Sequence, residues 1–98
     1  MMAKKMEDKI TKEKLEKYFS ITEKALEIAK KSISKGREKE AKEVLDMVSA
    51  YLADSKYFEK QGNYVNAFAA INYAHGWLDT GSRLGVFDVK DNKLFVVR

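Results

Sequence analysis

The sequence predicts an all-α fold, an up-and-down three-helix bundle that ends in a short C-terminal β-hairpin or extended tail. Three observations carry that expectation. Apolar residues recur at three- and four-residue steps in three successive stretches, and these steps bring side chains to one face of a helix. The connections around Gly36 and Gly62 span only a few residues, which makes consecutive helices antiparallel neighbours. After Gly85 the pattern changes to VFDVKDNKLFVV, two short β-prone runs divided by the turn formers Asp91 and Asn92.

Residues 1–10 form a charged lead-in, and the bundle is expected over 11–85. The first helix, about 11–35, carries Leu15, Tyr18, Phe19, Leu26, Ala29 and Ile33 within an arc of about 100°. Thr11 is placed to cap its start, and Gly36 to end it. The second, about 37–61, carries Ala41, Val44, Leu45, Val48, Leu52 and Ser55, with Met47, Tyr51 and Phe58 beside the stripe. The third, about 63–85, starts at Asn63 as cap and presents Ala67, Ile71, Ala74, Leu78, Gly81 and Gly85, widened by Tyr73, Trp77 and Leu84. An apolar arc that broad needs cover from more than one side, so the third helix is expected between the other two. Residues 86–98 form the hairpin or tail. A two-stranded hairpin alone is marginal in water, so this one must dock on the bundle, pair with another chain or stay mobile.

Composition narrows the function classes. The chain has no cysteine, which removes disulfides, thiolate metal ligands and a cysteine nucleophile. It shows neither a signal-peptide pattern nor 18 consecutive apolar residues, so a soluble, cytoplasmic protein without a membrane span is expected. The net charge of +4 does not by itself indicate nucleic acid. From Met1 to Lys60, 15 Lys or Arg alternate with 12 Asp or Glu, as in KEKLEK and REKEAKE, which makes solvated helix faces rather than a phosphate-binding stripe. Nucleic acid is therefore disfavoured as a partner.

The stretch from Gln61 to Phe87 differs from the rest. It holds only two charged residues, Asp79 and Arg83, together with the single His, the single Trp and four of the five Gly. Asn72, His75, Asp79 and Arg83 are spaced by three, four and four, and so share one helix edge spanning roughly 80°. These four are the candidate ligand-binding residues. An Asp79–Arg83 ion pair at this spacing is worth about 0.3–0.5 kcal/mol when exposed. His75 and Asp79 resemble a base and its orienting carboxylate, but no nucleophile or oxyanion donor accompanies them, so an enzyme is disfavoured and no catalytic residue is assigned. They supply at most two metal ligands where three or four are normal, so neither a metal site nor a cofactor is expected. Gly76 and Gly81 each cost about 1 kcal/mol relative to Ala in a helix interior, which implies that something approaches the backbone closely at both. Tyr73, Trp77 and Leu84 are the candidate interface.

The segment YFEKQGNYVNAFAAINYAHGWLDTGSRLGVFD, above all Asn72-Tyr73-Ala74-His75-Gly76-Trp77-Leu78-Asp79 with Gly81, Arg83, Leu84 and Gly85, resembles the short, mostly archaeal proteins grouped as domain of unknown function family 357. The resemblance implies a compact helical bundle and brings no biochemical activity with it. The leading functional expectation is a non-enzymatic protein-association module, a homo-oligomer using the apolar edge of the third helix. The alternative is a domain that binds a small anionic metabolite or nucleotide through Arg83 and His75.

Overall fold

The computed structural model describes residues 9–90. Its elements are three helices, α1 (Lys12–Lys30), α2 (Glu38–Lys60) and α3 (Tyr64–Arg83), and the all-α expectation holds. Both caps read from the sequence form. The Thr11 hydroxyl accepts from the Lys14 amide at 3.0 Å, and the Asn63 side chain accepts from the Asn66 amide at 3.2 Å. α2 and α3 end in the same way. Gly62 and Gly85 take φ of +76° and +80°, and the amide after each reaches back to the helix, Asn63 to the Phe58 carbonyl at 2.9 Å and Val86 to the Gly81 carbonyl at 2.8 Å. This paired closure requires a left-handed residue, which only glycine adopts without strain.

α3 lies against both other helices, most closely against α2, while α1 and α2 scarcely meet. The central position follows from its wide apolar arc, and the buried alanines Ala41, Ala67, Ala70 and Ala74 leave room for a close approach of α2 and α3. The core has two parts. Leu15, Ala67 and Ile71 form one, backed by Tyr18 and Phe68, whose rings meet edge to face at 5.4 Å. The other gathers Ala25, Ala29, Val48, Leu52, Ala74 and Leu78 with three residues from beyond the helices, Val86, Phe87 and Val89. No helix among the described residues is long and apolar enough to cross a membrane.

Two departures from the sequence reading share one cause. The first helix, predicted to run to residue 35, stops at Lys30, and Gly36 falls in the following turn. The backbone leaves the helix there because another partner takes its polar groups. Ser34 donates to the Val86 carbonyl at 2.9 Å, Asp88 donates to the Ser32 carbonyl at 2.7 Å, and Ile33 and Phe87 form an antiparallel bridge. Ile33, expected on the buried stripe, is exposed and contributes its backbone instead. The described start of the C-terminal segment, Val86 to Lys90, is thus an extended strap docked on the α1–α2 connection. The hairpin turn expected at Asp91 and Asn92 lies outside the described residues.

Phe87 holds this strap down. It is 1% exposed, and its ring lies over Gly81, where an added Cβ would sit 2.6 and 2.8 Å from two ring carbons. Gly81 is therefore glycine because Phe87 occupies the space a side chain would need. Gly81→Ala is expected to lower the unfolding free energy by about 1–3 kcal/mol, the cost of overpacking a filled core, and Phe87→Ala by about 3–5 kcal/mol, both read by urea denaturation.

Candidate functional site

The helical spacing of Asn72, His75, Asp79 and Arg83 is realised on α3, but the four residues do not converge. His75 and Asp79 lie together at the α1–α3 seam, each side chain about a quarter exposed, with Nε2 of His75 3.7 Å from Oδ1 of Asp79. That separation is an electrostatic contact, longer than a hydrogen bond. Nδ1 of His75 lies 3.0 Å from the hydroxyl of Thr22 on α1. Where that hydroxyl donates, the neutral ring carries its proton on Nε2, facing the carboxylate. Thr22 is 1% exposed and ties the imidazole to the neighbouring helix. It is not among the residues that helical spacing marks as a candidate site. The signal was present, because Thr22 falls between Leu15, Phe19, Leu26 and Ala29 on the buried stripe, where a polar residue needs a partner.

A cavity of about 400 Å³ opens beside this pair, lined by Tyr18, Thr22, Ile71, Asn72, His75 and Asp79 among others. Asn72 is exposed at its mouth. Arg83, the last residue of α3, is exposed and does not line it. Eight residues separate His75 from Arg83, about 12 Å of helical rise, with Asp79 between them. The Asp79–Arg83 ion pair that the spacing allows is not among those formed between described residues. A single ligand touching both His75 and Arg83 would have to extend along the helix past a carboxylate. Among the described residues no three His, Asp or Glu side chains come together as a metal site.

The apolar candidates occupy the outer side of α3. Tyr73 is 63% exposed and Leu84 64%, while Trp77 is 38% exposed and forms a wall between two depressions. Tyr73 stacks on Tyr51 of α2, with ring centres 5.4 Å apart and planes 22° from parallel. Gly76 lies on the same side. In contrast to Gly81, nothing among the described residues outside its own helix comes within 4 Å of the position its Cβ would take, so the close approach expected at Gly76 is not made by them. Three further residues not foreseen as site components line the other depression, a groove between α2 and α3. Arg37, ahead of α2, grips Glu40 with Nε and Nη2 at 2.8 and 3.4 Å and donates from Nη1 to the Leu84 carbonyl at 3.2 Å. Glu43 stands a turn further along the same groove.

Thr22→Val keeps the shape of the buried side chain and removes the hydroxyl opposite His75. It is expected to lower stability by about 0.5–1.5 kcal/mol, and to change the tautomer balance of the ring in ¹⁵N NMR.

No curated protein and no solved structure matches the chain. The profile of one protein family does, over residues 17–87, a span that runs from α1 through the C-terminal turn to Phe87 and includes every candidate residue above. The chain belongs to that family, which is described as a protein of unknown function, DUF357.

Proposed function

We propose that this protein is a non-enzymatic association module that pairs with a second copy of itself through the outer face of α3. The observation that carries the proposal is the exposed, unopposed Gly76 between Tyr73 and Trp77. A glycine inside a helix costs about 1 kcal/mol relative to alanine, and at Gly81 the Phe87 ring explains it. At Gly76 nothing among the described residues does. A bare Cα flanked by aromatic side chains allows another helix to cross there at short range, and aromatic residues supply much of the binding energy at such contacts.

The electrostatics of the face support a copy of itself as partner. Asn72, Tyr73, Gly76, Trp77 and Thr80 line the shallow depression, and none carries charge, although 35% of all residues do. In a two-fold pairing each patch meets its own image, so any charge would meet a like charge. An uncharged, aromatic strip is free of that penalty.

Sedimentation velocity over a concentration series is expected to show a dimer that gives way to monomer on dilution. A species that stays monomeric up to the solubility limit would overturn the proposal. Gly76→Gln, which places a long side chain at the crossing point, is expected to weaken dimerisation at least tenfold. In dilute solution, where the monomer prevails, Gly76→Ala is expected to raise the unfolding free energy by about 0.5–1 kcal/mol, opposite in sign to Gly81→Ala.

A further inference from the structure

Trp77 also lines a groove between α2 and α3 of about 550 Å³. Its apolar surface comes from Val44, Met47, Trp77, Leu84 and Val86, and its rim from Glu40, Glu43, Asp46 and Arg37. Two features distinguish it from the uncharged strip on the outer face. Leu84 and Trp77 remain exposed along its wall, and methionine and valine, both half-buried or less accessible, give it a floor that a partner side chain can reach. The rim, in a chain of net charge +4, carries three carboxylates against one guanidinium. That guanidinium is already engaged, since Arg37 holds Glu40 and the Leu84 carbonyl. Asp46 is paired at 2.8 Å with Lys42, which does not line the groove.

We infer that this groove takes an amphipathic helix of a partner protein whose apolar stripe is flanked by lysine or arginine. A trough between two antiparallel helices suits a third helix laid along it, with apolar anchors one turn apart entering between Met47 and Trp77. The Glu43 carboxylate, and Asp46 where a partner's cation replaces Lys42, then stand opposite the flanking cations, and charge complementarity at a rim selects partners and speeds encounter. The same carboxylates oppose the insertion of an acidic helix. The groove shares Trp77 and Thr80 with the outer face, but Gly76 does not line it, so a Gly76 variant separates peptide binding from self-association.

Trp77 is the only tryptophan and lines the groove, so its emission responds to a ligand bound there. The full chain is titrated with two synthetic peptides that lack tryptophan and share one leucine pattern at i, i+3, i+4 and i+7, one with lysine and one with glutamate at the remaining positions. The lysine peptide is expected to move Trp77 emission to shorter wavelength saturably, with an affinity that falls as salt is added, while the glutamate peptide has no effect. In the double variant Glu43→Lys, Asp46→Lys, shown by circular dichroism to keep its helix content, the lysine peptide is expected to bind at least tenfold more weakly. Binding should persist in Gly76→Gln, whatever the oligomeric state of that variant. The proposal is overturned if neither peptide binds, if both bind alike, if the double charge variant binds the lysine peptide unchanged, or if Gly76→Gln abolishes binding and so places the peptide on the outer face.

Discussion

The seating of the Phe87 ring on the bare backbone of Gly81 is the contact on which the rest of this structure depends. It anchors the strap that follows α3, and the strap in turn supplies Val86, Phe87 and Val89 to the larger core. The backbone of the same strap pairs with Ser32 to Ser34, which ends α1 and sets the path into α2. A 98-residue chain has little core to spare, so three buried side chains from a short extended segment are a substantial share of what holds the helices together. The interaction is also one of exclusion. Both partners must be what they are, since any side chain at position 81 and the ring at position 87 claim the same volume.

The helices divide their work unequally. α3 is wetted by neither a charged face nor a broad polar one, and it packs on α1 and α2 at once, while those two barely touch. Small residues at Ala41, Ala67, Ala70 and Ala74 bring α2 and α3 close, and that closeness leaves the aromatic flank of α3 outside the bundle. Tyr51 covers part of it by stacking on Tyr73. The remaining exposure of Tyr73, Trp77 and Leu84 is what a chain of this size leaves over when one helix has more apolar surface than two amphipathic neighbours can hide. The same helix presents two chemically different surfaces, one without charge and one rimmed by carboxylates, and their separation by the single indole of Trp77 is a matter of side-chain geometry.

The polar row shows how a shared helix edge differs from a shared site. Asn72, His75, Asp79 and Arg83 do lie along one edge, as their spacing requires, yet only His75 and Asp79 face each other, and the group that fixes the imidazole comes from another helix. Periodicity reports the direction in which a side chain leaves its own helix. It carries no information on what stands opposite. Thr22 is 53 residues from His75 in the chain, and the only trace of the pairing in the sequence is a hydroxyl at a position where the stripe calls for an apolar residue.

The sequence by itself determined what is local. The three helices, their caps at Thr11 and Asn63, the chain reversal at Gly62 and most of the inward face of each helix follow from side-chain spacing and from the conformations that single residue types permit. Only the tertiary structure decided what is non-local. It ended α1 at Lys30, because backbone groups of residues 32–34 find partners in the strap, and it turned Ile33 outward. It also separated two glycines that look alike in the sequence. Gly81 is covered by Phe87 and Gly76 by nothing among the described residues, a difference set by which distant segment folds over each helix face. Chemical identity and spacing constrain the near neighbours of a residue, whereas its contacts across the core depend on how all the segments fill space together.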